Sequence, residues 1–393
     1  MEIKTLLHAE RARLAGPRRG WIFTLARLAQ GLRGITALLG VVLLCSPAWA
    51  VDDRVAALEA AASQMRHETM EKMNVLLEEI PEDRAELKPE LLYRLGLLYR
   101  EEERAHYLAQ LDSGSPDATG AGVWREKLIV LYRTLLQDHP TFPRAGEVLY
   151  ELGAALWRAG RQEESFAEFS RLVVAYPESP RLPDAYLALG EYWMARRRPD
   201  EALLVLRAAS AYPDYDDRDV AWYWLALAQH GVGEHTQAIE GLKDVVAWNT
   251  AAGSRGNRRL VADALDGLAR CFVDAEDLEG AIAYFDALGR PEFLTATFAA
   301  FAASAARHAE HGDFRVAIPM WRKLIAAAPN APQTPAYQHA VAEAYRRMGQ
   351  PKRASREFRQ LEELYGPWSA WALANPGDPA RWAEALITQA AAR

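Results

Sequence analysis

The chain has 393 residues, half of them hydrophobic and a quarter charged, with a formal net charge of −7. That composition belongs to an ordered chain too long for one compact core, which leaves several globular domains or a stacked repeat array. An acidic balance argues against nucleic acid and anionic lipid as partners, because both select basic patches.

In chain order, residues 1–50 stand apart. Lys4, Arg11, Arg13, Arg18, Arg19, Arg27 and Arg33 form a basic front, residues 35–45 (ITALLGVVLLC) are uncharged, and Ala48-Trp49-Ala50 follows. A basic front, a short apolar core and an A-x-A tail describe a secretory signal peptide cut after Ala50. Eleven uncharged residues fall short of the ~20 that span a bilayer. Cys45 follows Leu44, where a lipoprotein cysteine needs a small neighbour, so lipid anchoring is disfavoured. Arg18-Arg19 reads as ordinary charge rather than a twin-arginine signal. The remaining chain carries 39 positive and 51 negative groups, a net of −12. A periplasmic location is expected. Only Cys271 survives cleavage, so packing rather than an internal disulfide must hold the fold.

Residues 51–88 read as an N-terminal cap. Residues 55–80 form one amphipathic helix able to lie over the first repeat. Residues 89–367 then repeat a single pattern about seven times. Leu149, Leu152, Gly153 and Leu156, followed by Ser165, Phe169, Leu172 and Pro177, recur as Tyr186, Leu189, Gly190 and Trp193, followed by Ala202, Leu206, Ala209 and Pro213. The central small residues are Gly96, Gly153, Gly190, Ala226, Ala269, Ala305 and Ala342, spaced 57, 37, 36, 43, 36 and 37 apart. Each copy reads as two antiparallel helices whose small residues face each other, with bulky residues a turn away filling ridges and grooves. Gly160, Gly233, Gly312 and Gly349 supply left-handed caps at the inter-helix turns, and Pro stops the second helices. One such hairpin cannot bury both faces, so copies must stack. Most of the spacings lie within three residues of the 34-residue tetratricopeptide period. The expected fold class is all-α, a tetratricopeptide superhelix or α-solenoid of stacked hairpins. The long first spacing predicts an insertion, with residues 114–122 (GSPDATGAG) as a surface loop. Residues 368–393 read as capping helices, or as a further repeat cut short.

No motif carries catalysis: a nucleophile elbow, a phosphate-cradling loop and a dinucleotide glycine fingerprint are all missing from the sequence. No catalytic residue, cofactor or metal is expected. His308 and His311 sit one turn apart but lack the third and fourth ligands of a metal site. Cys271 reads as a buried structural thiol, and Glu101, Glu102 and Glu103 as a solvated face. What remains is a surface. First helices line the concave groove of such arrays. Its groove-facing positions here are Tyr93, Leu97, Tyr150, Trp157, Leu187, Glu191, Met194, Tyr223, Leu227, His230, Asp266 and Arg270. Aromatic anchors with a polar rim suit a protein partner, a peptide or helix held in the groove. Ala299, Ala302, Ala306 and Ala309 form a smoother strip in the later copies.

The run from 91 to 382 resembles the periplasmic tetratricopeptide proteins of myxobacteria and their relatives, including those of the adventurous gliding-motility apparatus. The segments that carry it are VLYELGAALWRAGRQEESFAEFSRLVVAYPESPRLPDAYLALGEY, AWYWLALAQ, LARCFVDAEDLEGAIAYFDALG and LYGPWSAWALANPGDP. The resemblance implies a non-catalytic scaffold contacting envelope proteins. It supplies no binding residues. The competing readings are an assembly factor for outer-membrane proteins or cell wall, and the superhelical part of a peptidoglycan lytic enzyme. The lytic reading needs a further catalytic domain for which nothing after Tyr365 is long enough.

Overall fold

The computed structural model describes residues 48–113, 119–251 and 256–391. All but the last three residues of the expected signal peptide lie outside the described residues. Among the described residues there are seventeen α-helices, one 3-10 turn and no strand. The chain divides between Leu189 and Gly190 into two compact units.

The first unit holds α1 (Ala48–Glu79), a 3-10 turn (Glu82–Leu87), α2 (Lys88–Ser113), α3 (Thr119–Asp138), α4 (Ala145–Arg158) and α5 (Gln162–Ala175). The following helix α6 (Leu182–Ala195) contains the division point. The α4/α5 hairpin shows why the small residues recur. The Ser165 hydroxyl donates to the Gly153 carbonyl at 2.7 Å, both buried. A Cβ on Gly153 would sit 2.8 Å from the Phe169 ring. The turn between them is a left-handed cap: Gly160 has φ 77, its N–H donates to Trp157, and the Arg161 N–H donates to Leu156.

The α2/α3 hairpin follows the same rule at its base, where Gly96 lies under the Tyr132 ring with only 2.1 Å for a Cβ. Beyond that point it departs from the expected loop. α2 has 26 residues against 14 in α4, and α3 has 20 against 14 in α5. Most of the insertion is therefore helix, and α3 already begins at Thr119 within the stretch expected to be loop. The added turns carry α1. The Ser63 hydroxyl and the Arg66 Nε both donate to Glu102 at 2.9 Å, Met70 is buried, and His67 meets the Trp124 ring edge-on at 5.2 Å.

Glu102 and Glu103 thus correct the expectation of a solvated face: they are 1% and 3% exposed. A buried carboxylate must be paired, and both are. Glu103 takes two hydrogen bonds from the Arg158 guanidinium at 3.0 and 2.9 Å and another from Arg125, joining α2 to α3 and α4.

The second unit continues with α7 (Pro199–Ser210), α8 (Arg218–Gly231), α9 (His235–Thr250), α10 (Arg258–Asp274), α11 (Leu278–Ala287) and α12 (Pro291–Glu310). α13 (Phe314–Ala327), α14 (Thr334–Arg347), α15 (Pro351–Tyr365), α16 (Ala370–Ala374) and α17 (Asp378–Ala391) complete it. Gly190 packs on Leu206 with 2.4 Å for a Cβ, repeating the close approach. Hydrocarbon dominates the interior. One cluster centres on Leu242, Leu265, Leu268, Phe272 and Phe285, the next on Phe301, Trp321, Leu324 and Val341, and a last one on Leu361, Tyr365 and Trp371. Gly233, Gly312 and Gly349 take the left-handed cap as anticipated. Arg197 (φ 58) and Glu276 (φ 55) take it without being glycine, and each turn still closes, Arg198 N–H to Trp193 and Asp277 N–H to Phe272.

Candidate protein-binding surface

In the first unit the anticipated groove positions are largely occupied by their own neighbours. Tyr93 is buried, stacks on Tyr132 at 6.4 Å, and donates its hydroxyl to Glu147 at 2.9 Å. Burial first, then the Glu147 carboxylate, pushes its phenol up to about 12. The Arg144 guanidinium covers its ring at 4.7 Å. Tyr150 is half-buried against Phe169, under the guanidinium of Arg181 at 5.0 Å. Glu151, also buried, accepts from Arg100 and lies 4.0 Å from Arg181. Leu97 and Trp157 remain half-buried. Leu187, at the end of this unit, is 1% exposed.

Tyr93 and Leu187 are therefore corrections: their rings and methyls fill the interior and have no face to offer a ligand. Glu147 and Glu151, which the sequence reading passed over, organise this face. Their signal was present as an i, i+4 carboxylate pair on the groove helix with arginines at 100, 144 and 181. An open cleft of about 980 Å³ lies elsewhere, along the second helix α3, lined by Tyr99, Val123, Val130, Leu131, Thr134 and Ala159 among others.

The second unit presents a different face. Glu191 and Met194 on α6 are half-buried. Tyr223 on α8 is half-buried, and its phenol is pushed up to about 12, by burial first and then by the carboxylate of Asp263, against the pull of Arg270. Leu227 reaches α10, where a Cβ on Gly267 would be 3.8 Å away. Asp266 and Arg270, one turn apart on α10, are exposed. His230, at the end of α8, is half-buried. Burial lowers its pKa, Asp274 opposes the shift, and His235 and Arg270 add to it. The result is an aromatic and aliphatic strip edged by one acid and one base.

Cys271 is buried, and burial raises its thiol to about 11, so it is protonated at neutral pH. His311 is exposed and His308 partly so, 3.8 Å from Asp313. Among the described residues no group of three or more His, Cys, Asp or Glu is placed to hold a metal ion, and no helix is long and apolar enough to cross a membrane.

Against this geometry, residues 131–180 match a family model described as tetratricopeptide repeat. The matched stretch runs from the end of α3 through α4 and α5, where the small-residue contacts and the glycine cap are most regular. The fold is an all-α tetratricopeptide solenoid. No curated protein matches the chain in a sequence comparison. Solved structures similar to parts of it include MamA, at 21% identity over 50% of this chain and 92% of that one, with a TM-score of 0.35. PilF of Pseudomonas aeruginosa matches at 15% identity over 61% and 98%, with a TM-score of 0.33. A repeat-containing protein of Cytophaga hutchinsonii matches at 15% identity over 84% and 98%, with a TM-score of 0.35.

Proposed function

We propose that this chain is a non-catalytic scaffold that binds partner proteins in the bacterial periplasm, with the face of α8 and α10 as its principal contact. One observation carries the reading. Tyr223 and Leu227 form a half-buried apolar strip bordered by exposed Asp266 and Arg270, whereas Tyr93 and Glu151 in the first unit are consumed internally. A partly apolar strip with a charged rim is how interface hot spots are built. The periplasmic location rests on the sequence of residues 1–50, and a place in an envelope-spanning or gliding-motility complex rests on the resemblance alone.

Photocrosslinking in living cells tests it, with the photoreactive residue at Tyr223, Trp157, or Arg359 on the second helix α15 as control. Capture of one envelope protein from Tyr223, weaker capture from Trp157 and none from Arg359 is the expected outcome. Equal labelling from all three positions would sink the α8/α10 assignment. Amino-terminal sequencing of the protein released by osmotic shock should begin at Val51, and a mature chain retained in the cytoplasm would remove the location.

A further inference from the structure

The face of α8 and α10 carries its charges in a fixed order. The Asp263 carboxylate acts on the Tyr223 phenol, a Cβ on Gly267 would be 3.8 Å from Leu227, and Asp274 lies 3.3 Å from the His230 imidazole. The two helices therefore run in the same direction, matched turn for turn. One stripe of α10 holds Arg259, Asp263, Asp266, Arg270 and Asp274. Arg259 is 3.8 Å from Asp263, and Asp274 is taken up beside His230. Asp266 and Arg270 are both exposed, and neither makes a salt bridge or side-chain hydrogen bond with any described residue. Although one turn apart, they do not close on each other.

Given the scaffold reading, on which this rests, we propose that the partner docks here as an amphipathic α-helix antiparallel to α8 and α10. Its apolar side lies on Tyr223 and Leu227, and a Glu-x-x-x-Lys pair on its rim sets the acid at Arg270 and the base at Asp266. The backbone favours a helix over an extended strand. α8 and α10 satisfy their own N–H and C=O groups, so only side chains here could replace the water that a strand's main chain gives up. A helix brings no unpaired backbone group along its length. The spacing agrees, since residues four apart in a helix rise ~6 Å, the same interval that separates Asp266 from Arg270 along α10. Direction follows from the dipoles. Those of the parallel α8 and α10 add, and a third helix packs best running against them. Such a helix meets Arg270 before Asp266, which places its acid one turn ahead of its base. That order is also the favourable one for an i, i+4 pair within the partner. The reverse order would set like charges opposite each other at both points.

The test uses the full chain, expressed with its leader and purified as the cell processes it, and two fluorescent peptides. Both peptides are helices held by a side-chain staple on the outer face, with one leucine stripe and identical composition. One carries Glu-x-x-x-Lys beside the stripe, the other Lys-x-x-x-Glu. In fluorescence anisotropy the acid-first peptide should bind about tenfold tighter, a preference that fades at high salt. Asp266→Lys/Arg270→Asp should invert the preference, with helix content by circular dichroism unchanged. Leu227→Asp should weaken both peptides about tenfold, and Arg359→Glu should change neither. Equal binding of the two peptides, or a preference that the swapped variant keeps, would overturn the charge order. Failure of both peptides to bind would overturn the helix. A partner still captured from Tyr223 in cells would then leave the scaffold reading standing without it, whereas loss of that capture as well would remove both.

Discussion

The two compact units build the same hairpin and hold it with different materials. In the first, Glu102, Glu103 and Glu151 are buried inside α2 and α4 and answered by Arg66, Arg125, Arg158 and Arg100. In the second, phenylalanine, leucine and alanine fill most of the interior, and a single buried carboxylate among the described residues, Glu357, is answered by Arg322 and Gln338. The register does not depend on the filler. Close helix approach at the small residue and the left-handed cap are common to both units, and they suffice to fix the hairpin. Ion pairs do something hydrocarbon cannot: they are directional, so they specify which helix lies where. Buried pairs add little net stability over a hydrophobic filling, yet breaking one is costly. In the first unit the Glu102 pair is the one of these that reaches α1, through Ser63 and Arg66.

The largest effects should come from one change in each unit. Glu103→Gln leaves Arg125 and Arg158 facing a neutral amide in a buried position and should destabilise the first unit by about 3–5 kcal/mol in denaturant unfolding. Phe285→Ala, in the fully buried aromatic cluster with Phe272, should cost about 3–5 kcal/mol through cavity formation. Their pH responses should separate them. Burial alone would raise the Glu103 carboxyl, but the charge and hydrogen bonds of Arg158, then Arg125, outweigh it and hold it below the usual range. A carboxyl lowered on folding stabilises fully above its unfolded pKa near ~4.3, and the contribution fades as pH falls through the folded value. The unfolding free energies of the parent and Glu103→Gln should therefore converge in acid, while the Phe285→Ala deficit persists. Parallel curves for Glu103→Gln would show that its carboxylate contributes packing rather than charge.

Two smaller changes probe the shared register. Gly96→Ala drives a methyl into the Tyr132 ring and should destabilise the first unit by about 1–3 kcal/mol. An unchanged melting temperature would mean that α2 and α3 can separate at no cost. Glu276→Gly relieves a left-handed residue in the second unit and should raise stability by about 1 kcal/mol. A loss there would indicate that the Glu276 side chain does more than occupy the turn.

The small residues, the turn glycines and the stop prolines were legible because backbone proximity tolerates few alternatives. Arg197 and Glu276 were not, since a turn closed by two hydrogen bonds can hold a left-handed residue that no composition rule marks. The burial of Glu102 was hidden for another reason. Three consecutive glutamates look solvated until the partner helix arrives, and that partner lies more than thirty residues upstream. Tyr93 and Leu187 were placed on the right helices, but periodicity along one helix does not say which neighbour already covers a given side chain. The Gly, Pro and Asp residues of 114–122 pointed to a long loop, yet helix resumes at Thr119, and Gly120 there lies close against the His106 ring, with 2.7 Å for a Cβ.

The extended α2 also limits how this chain can change its length. Each residue added to a helix turns everything beyond it by about 100° and advances it by about 1.5 Å. Between Gly96 and Glu102 a single insertion would swing Glu102 away from Arg66 and bring a neighbour into its place. Three or four residues would restore the phase within about 60°, and seven would nearly close it. Natural variation in this hairpin should therefore come in whole turns, as the thread of a screw permits only whole revolutions before the slot lines up again.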